Sequence, residues 1–548
     1  MSEARPTLHR CPLCDSEQLV HQFTHSTTPI VRCGRCGLVM RNPQPSNDEL
    51  AAIYNEHYFL VPDDEAESLK RGTARGYLDA IDARLGRRAG DRPRLLELGS
   101  GLGNMLLEAR ARGYQVTGVE YSEASVRAAN ARLGEPCVLQ GTVGSLPLDD
   151  GSFDVVVLAD VIEHTRDPLA DLAHVWRLLR PHGLVFIALP SLDSWSARLL
   201  RQRWMEYKLE HTFYFDSATV QLLLFKSGFE GVALATGWKT LSPDYIVSHF
   251  ERFPVPGLTG AARLGKALLP APLRQRHVRV VASGINVMAT RSARLPVTRR
   301  PHRLTVVMPV FNERTSFPIL MNGLIEKRIP GVEIDIVIVE SNSTDGTREE
   351  VRKFEGRPGV QVIYEAAPRG KGHAVRAGLA RATGDYILIQ DADLEYDLDD
   401  YEPLLRPLMD GSAAFVLGSR HSGGGGGWKI REFTNQAGLS QVMNVGHVFF
   451  TGLFNVVYGT RLRDPFTMFK VFRRDCLHGL TFESNRFDFD WELAGKLVRA
   501  GYRPIEIPVN YQSRSFAEGK KVSFFRDPLT WFRACFKYRF VRLGKKAR

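Results

Sequence analysis

The chain has 548 residues, 44% hydrophobic and 24% charged, a balance that excludes a disordered or fibrous polymer and is too long for one core, so roughly two to four units are expected. No uninterrupted apolar run approaches the ~20 residues of a membrane span, which leaves a soluble or peripheral protein. The formal charge of +11 asks for something negative nearby: nucleic acid, anionic lipid or phosphorylated substrates.

The first stretch, "MSEARPTLHRC", lacks the apolar core of a secretory signal. A cytoplasmic location with reduced cysteines is therefore expected. Cys11, Cys14, Cys33 and Cys36 follow as "CPLC" and "CGRC", with eighteen residues between the pairs. Each two-residue gap makes a tight knuckle aiming two sulfurs at one tetrahedral ion, the pattern of a four-thiolate zinc ribbon over residues 1–44. Two structural disulfides are the competing reading, which a cytosolic chain disfavours. With four protein ligands the Zn2+ has no open position and is structural. Cys137, Cys476 and Cys535 are scattered and take no role.

Over residues 45–292 apolar strands alternate with helical stretches. "RLLELGSGLGN" is a strand, Arg94 to Leu98, running into Gly99, Gly101 and Gly103 and then into a helix. Glycines there let the backbone turn sharply and leave room for a nucleotide-like ligand at the helix N-terminus. The next strand, "QVTGVE", ends in Glu120, where a carboxylate can accept hydrogen bonds from ribose hydroxyls. "FDVVVLADVIEH" and "GLVFIALP" supply two more strands.

The spacing E-x-G-x-G-x-G departs from the dinucleotide G-x-G-x-x-G. In "LELGSGLGN", "VEYSEASV", "LPLDDGSFDVVVLADVIEHTRDP" and "RLLRPHGLVFIALP", residues of about 94 to 190 resemble class I S-adenosylmethionine-dependent methyltransferases, a Rossmann-like α/β fold. The resemblance implies S-adenosylmethionine held by Glu97, Gly99, Gly101, Gly103 and Glu120. Thr142 stands where that family often has an acid or amide at adenine. Methyl transfer needs alignment more than acid catalysis. His164 is the candidate base, or a helix-starting residue packed on the following loop. The aromatics of "EHTFYFDSATVQLLLFKSGF" are expected to be mostly core.

Periodicity lapses in "MATRSARLPVTRRPHRL", which reads as a linker over 293–302. "SGGGGGW" (Ser422 to Trp428) implies a mobile loop. Beyond the linker, residues 303–548 open with the strand "LTVVMPVFNE". "IDIVIVESNSTDGT" follows, ending at Glu340, and then "DYILIQDADLEYD", ending in Asp391 and Asp393. This is a second alternating α/β unit with ligands expected at the C-terminal strand ends. Acids two apart at a strand mouth can grip one divalent cation, which in turn bridges the two phosphates of a nucleotide-sugar. Alone, the pair reads nearly as well as a helix cap.

Six ordered blocks, from "VVMPVFNE" through "PRGKGHAVRAGLARATGDYILIQDADLEYD" to "FDFDWELAGKLVRAGYRPIEIPVNYQSRSFAEGKKV", resemble family 2 glycosyltransferases of the GT-A fold, in the branch of polyprenyl-phosphate glycosyltransferases. That resemblance implies that Pro309, Asn312, Glu313 and Glu340 cradle the nucleoside and that Lys371 approaches its phosphates. It implies Asp391, Asp393 and Glu395 as ligands of Mg2+ or Mn2+. Asp464, Arg514 and Lys520 would surround the diphosphate and acceptor. A phosphate monoester is already an anion near neutral pH and can attack the sugar without a protein base; Arg514, Lys520 and Lys521 would hold it, unless they form a solvated loop. Asp488 and Asp490 have no assigned role.

"LSQVMNVGHVFFTGLFNVVYG" (Leu439 to Gly459) is apolar but broken by Asn444, His447 and Asn455, so either a helix dipping into the headgroup layer or one buried in the domain is expected. The basic tail "FKYRFVRLGKKAR" reads as a membrane-surface segment on the inner face of the cytoplasmic membrane, or as solvated chain.

The leading expectation is a bifunctional transferase. It would move sugar from a nucleotide-sugar donor to a polyprenyl phosphate acceptor, methylate a small molecule, sugar or lipid, and contact an anionic membrane surface peripherally. Two alternatives are a zinc-ribbon RNA methyltransferase, which gives residues 303–548 no role, and a glycosyltransferase with a non-catalytic methyltransferase-like module. Nucleic acid is not the expected partner.

Overall fold

Runs of Val, Ile and Leu bounded by glycine become buried central strands, and the chain divides into two compact units, Met1–Arg299 and Arg300–Arg548. The computed structural model describes residues 4–53, 64–88, 90–252, 257–293, 295–297, 301–421, 437–513, 527–541 and 543. Arg514, Lys520, Lys521, the glycine run and the tail cations Arg542, Lys545, Lys546 and Arg548 lie outside them.

In the first unit β1 (Leu19–His25), β2 (Thr28–Cys33) and β3 (Val39–Arg41) form the cysteine-bearing segment. The α/β body contains β4 (Arg94–Leu98), β5 (Gln115–Glu120), β6 (Val138–Gln140), β7 (Phe153–Ala159) and β8 (Leu179–Pro190). After them come β9 (Phe213–Tyr214), β10 (Phe229–Leu241) and β11 (Val278–Arg291). Seven strands lie in the order β10-β11-β8-β7-β4-β5-β6. The five from β8 to β6 are parallel, while β11 runs antiparallel to both β8 and β10. Leu95, Val155, Val157, Leu184 and Phe186 fill one core. The chain winds from β4 to β5 on one side and returns to β7 on the other, so a crevice opens at the C-terminal end of β4.

β9 lies outside this sheet and pairs with β3, completing the four-stranded order β1-β2-β3-β9. Phe213, Tyr214 and Phe215 are buried there, so these aromatics are core. The antiparallel pair β10 and β11 carries no continuous apolar run, because β10 is exposed along much of its length and its polar residues mask the strand pattern.

In the second unit, β12 (His302–Val310), β13 (Val332–Glu340), β14 (Val360–Tyr364) and β15 (Tyr386–Ile389) are parallel neighbours. β16 (Phe415–Ser419), β17 (Lys470–Arg473) and β18 (Ile505–Pro508) extend them in the order β14-β13-β12-β15-β17-β16-β18. β17 is antiparallel to both β15 and β16. The helix Lys371–Leu379 lies hard against β12. A Cβ at Gly378 would stand 2.4 Å from Val307 Cγ1, so glycine is what allows the approach that carries Lys371 to the strand ends.

Among the described residues no helix is long and apolar enough to cross a membrane. The helix Ala437–Tyr458 turns its polar residues inward: Asn444, His447 and Thr451 are buried, while Val442, Val445, Val448, Phe449 and Val456 are exposed. Asn455 Nδ2 donates to Leu462 O. In the helix Asp527–Phe540, Leu529, Phe532, Phe536 and Phe540 are also exposed. An ordinary surface helix has the opposite pattern.

Candidate active sites

The four N-terminal cysteines are free thiols gathered in one cluster. Cys11 and Cys36 sulfurs stand 3.5 Å apart and those of Cys14 and Cys33 3.4 Å, well beyond a disulfide bond and near the ~3.8 Å between thiolates on a tetrahedral zinc. The two-residue gaps turn as knuckles: Asp15 N donates to Cys11 O and Gly37 N to Cys33 O.

At the end of β4, Gly99, Gly101 and Gly103 all have positive φ, at 66°, 51° and 75°, which bends the chain into the helix Asn104–Ala111 with open backbone at its start. A Cβ on Gly99 would lie 2.7 Å from Val161 Cγ2. Glu120 holds this loop: Gly101 N donates to its Oε2 (2.8 Å) and Ser122 N to its Oε1 (3.0 Å). Glu97 is buried beneath the glycines, and neither its Oε2 nor Ser100 Oγ has a hydrogen-bond partner. Burial, with the charge of Glu120, pushes the Glu97 carboxyl well up. An unsatisfied buried carboxylate below a glycine cradle fits a cationic, nucleoside-bearing ligand such as S-adenosylmethionine.

His164 closes a short 3-10 turn after β7 and its Nδ1 lies 3.2 Å from Glu210 O. Its ring meets the ring of His211 edge-on, with centroids 4.6 Å apart. Burial lowers His164 and pushes His211 down to about 2. Glu163 is buried beside them with neither oxygen hydrogen-bonded. His211 and Glu163 were not singled out from the sequence, although "IEH" and "EHTF" share the Glu-His dipeptide.

In the second unit a cavity of about 800 Å³ opens at the ends of β12, β13 and β15. Pro309, Glu313, Lys371, Asp391, Asp393, Glu395 and Arg420 line its charged part. Met443, Phe450, Phe466, Trp491 and Trp531 line its apolar part. Asp391 and Asp393 lie beyond the strand, which ends at Ile389. Lys371 Nζ contacts the Asp391 carboxylate at 2.6 Å. Asp393 Oδ1 accepts from Glu395 N (3.1 Å), and Glu395 Oε2 accepts from Tyr511 Oη (3.1 Å). Asp391, Asp393 and Glu395 do not form a cluster with all three donor atoms within 4.8 Å of one another. Burial alone would lower Lys371, but the charges of Asp391 and Asp490 more than offset it and hold it above its ordinary value.

Several residues expected at the site stand one step behind the wall. Glu340 is buried, accepting from Arg348 Nε (2.5 Å) and Ser343 N (2.6 Å). Asn312, with φ 50°, accepts from Thr344 N (2.9 Å) and so ties two strand-end loops together. Asp464 is buried against Arg420, which donates through Nε (2.8 Å) and Nη2 (2.7 Å). Asp464 therefore acts on the cavity through Arg420. Sequence reasoning assigned no role to Arg420, which directly follows β16 in "VLGSR". Asp490 also lines the cavity, paired with the buried Lys470 at 2.8 Å.

Comparison with known proteins finds one matching family model in each unit. "Methyltransferase domain" matches residues 69–234 and "Glycosyl transferase family 2" matches residues 305–480. A dolichol-phosphate mannosyltransferase of Pyrococcus furiosus is 25% identical over 40% of this chain and 59% of its own length. The low-salt glycan biosynthesis hexosyltransferase Agl6 of Haloferax volcanii is 28% identical over 38% of this chain and 48% of its own. The chain thus spans about half to three-fifths of these two curated relatives. The solved phosphoethanolamine N-methyltransferase 2 of Haemonchus contortus, in complex with S-adenosyl-L-methionine, covers 46% of this chain and 63% of that one. Its TM-score is 0.30 and its identity 18%, too slight a likeness to carry weight.

Proposed function

We propose that this chain, which carries a methyltransferase domain and a family 2 glycosyl transferase domain, couples S-adenosylmethionine-dependent methylation to transfer of a sugar from a nucleotide-sugar to a polyprenyl phosphate. One observation carries the second activity. A single cavity joins a charged mouth, where Lys371, Asp391, Asp393 and Arg420 meet, to a wall of Met443, Phe450, Trp491 and Trp531. A charged donor and a lipid-linked acceptor need those two surroundings side by side.

Lys371 and Arg420 would neutralise the diphosphate, while Asp391 and Asp393 would share a divalent ion with it. Such an ion would bear charge on the leaving group. Lys371 would then exchange Asp391 for phosphate oxygen as the donor enters. The phosphate acceptor needs no proton removed, so no buried base is required; Asp490, already paired with Lys470, would instead orient Lys371. The outward apolar faces of the helices Ala437–Tyr458 and Asp527–Phe540 favour peripheral docking on a bilayer, where a polyprenyl chain resides.

In the first unit the residues fit S-adenosylmethionine. Its cationic groups match the Glu97 carboxylate, and the open glycine backbone leaves room for its nucleoside.

The test offers labelled sugar nucleotides, Mn2+ and undecaprenyl or dolichyl phosphate to the full chain and follows label into organic solvent. Label is expected there with wild type and not with Asp393→Ala. Equal extraction from both would remove the metal assignment, and no extraction from wild type with any donor would remove the acceptor class. Calorimetric binding of S-adenosylmethionine, lost in Gly101→Asp, tests the other half.

A further inference from the structure

Three side chains in the first unit take no part in the proposed function, although His164 was expected as a base. Glu163, His164 and His211 bring one donor atom each to within 4.8 Å of one another. Among the described residues around them, Asp160 pairs with Lys239 at 3.1 Å and Glu206 with Lys208 at 3.2 Å, and the half-buried Glu210 adds its charge beside His164. Glu163 is the fully buried carboxylate of the group. It is 2% exposed and neither oxygen accepts a hydrogen bond, a placement that costs several kcal/mol unless a proton or a cation sits against it.

One nitrogen of each imidazole belongs to this cluster. His164 Nδ1 donates to Glu210 O (3.2 Å), which fixes the tautomer with its lone pair on Nε2, and that atom stands 4.0 Å from Glu163 Oε1. Ligands ~2.1 Å from one ion can stand no more than ~4.2 Å apart, so the gap has the width of an ion. His211 is 2% exposed and its Nδ1 has no hydrogen-bond partner. An outer hydrogen bond on one imidazole nitrogen is how proteins orient a histidine toward a metal.

The two segments that bring these residues are latched together. Thr212, next to His211, donates to Glu163 O through both N and Oγ1, each at 2.9 Å. Val161, two residues before Glu163, packs where a Gly99 Cβ would be, which puts the cluster next to the glycine loop.

We propose that Glu163, His164 and His211 form a second metal site, distinct from the four cysteines, which holds one divalent first-row ion such as Zn2+, Mn2+ or Co2+ beside the glycine loop. Two imidazoles and a carboxylate suit those ions and leave positions open. In the methyltransferase reading, on which this last step rests, the open positions take oxygen atoms of the methyl acceptor.

The test is equilibrium dialysis of the full chain against Co2+, with zinc already in the cysteine cluster and Asp391→Asn and Asp393→Asn in place to silence the other unit. One Co2+ is expected per chain, with an absorption spectrum free of thiolate charge transfer. Glu163→Gln, His164→Asn and His211→Asn should each weaken it about tenfold or more, with circular dichroism and melting curves serving to exclude misfolded samples. Absence of a tight ion, or binding indifferent to all three substitutions, would overturn the site. S-adenosylmethionine calorimetry on the same samples separates the two readings: binding without the Co2+ site sinks only the ion, and no binding sinks the methyl-acceptor step.

Discussion

Lys371 and Asp391 face each other at 2.6 Å across the mouth of the charged cavity, so a cation bound at Asp391 competes with a lysine already there. Replacing Lys371 by Met removes that competitor and also a phosphate ligand. Mn2+ affinity, read by electron paramagnetic resonance, should rise a few-fold, while sugar transfer falls about 100-fold or more, the usual cost of one preorganised charge contact. Parallel losses of both would show that Lys371 supports the metal instead.

The buried Arg420–Asp464 pair is the rigid part of the same wall. Arg420→Ala should destabilise the second unit by ~3–5 kcal/mol at pH 7, because it leaves a buried carboxylate with a backbone N–H and, 3.8 Å away, His447 but no guanidinium. Burial works to raise Asp464, but Arg420 holds it far below the usual carboxylate range. Its contribution is therefore present above the unfolded value and lost only as pH falls through the much lower folded one. In Arg420→Ala burial without the guanidinium should raise the carboxylate, so the gap between variant and wild type should narrow from pH 7 to pH 5 in chemical denaturation. A constant gap would mean that lost packing dominates.

Glu97 is the reverse case, a carboxyl that burial pushes up. The folded state then holds a proton that the unfolded state has lost, so stability falls as pH rises from the ordinary carboxylate range toward the raised folded value. Glu97→Gln should raise the melting temperature at pH 8, leave it unchanged at pH 4, and weaken S-adenosylmethionine binding by calorimetry. Equal melting curves at pH 8 would show Glu97 ionised and satisfied.

Zinc in the cysteine cluster should stabilise more than its own sheet. Arg41 N, at the end of β3, donates to Thr212 O (3.0 Å), and Thr212 N donates in turn to Glu163 O. Cys33→Ser should lower bound zinc to below one per chain by elemental analysis. It should also raise amide exchange at residues 211–215, by local opening of the β3–β9 pairing. Unchanged exchange there would uncouple the cluster from His211.

Much of this was legible in the chain itself. β4 and β5 have the ends read from their apolar runs, because a central parallel strand is buried on both faces and shows as a continuous hydrophobic segment. The glycine loop and the cysteine knuckles are local, with chemistry that depends on residues a few positions apart. β10 and β11 were not legible. Half-exposed strands carry mixed residues, and nothing within either segment names the other as its partner.

The candidate sites divide the same way. Pro309, Glu313, Lys371, Asp391, Asp393 and Glu395 all line one cavity, as strand-end motifs suggest. Glu340, Asn312 and Asp464 carry chemistry-bearing groups too, yet each is committed to a partner behind the wall. The sequence by itself determined two α/β units, the glycine cradle and the four-thiolate cluster, since each follows from periodicity or short spacing. Only the tertiary structure decided that Asp464 belongs to Arg420, 44 residues away, and that His211 stands against His164. The reason is physical: a charge or imidazole takes its role from what burial places within a few ångströms of it, and chain closure over tens of residues sets that placement.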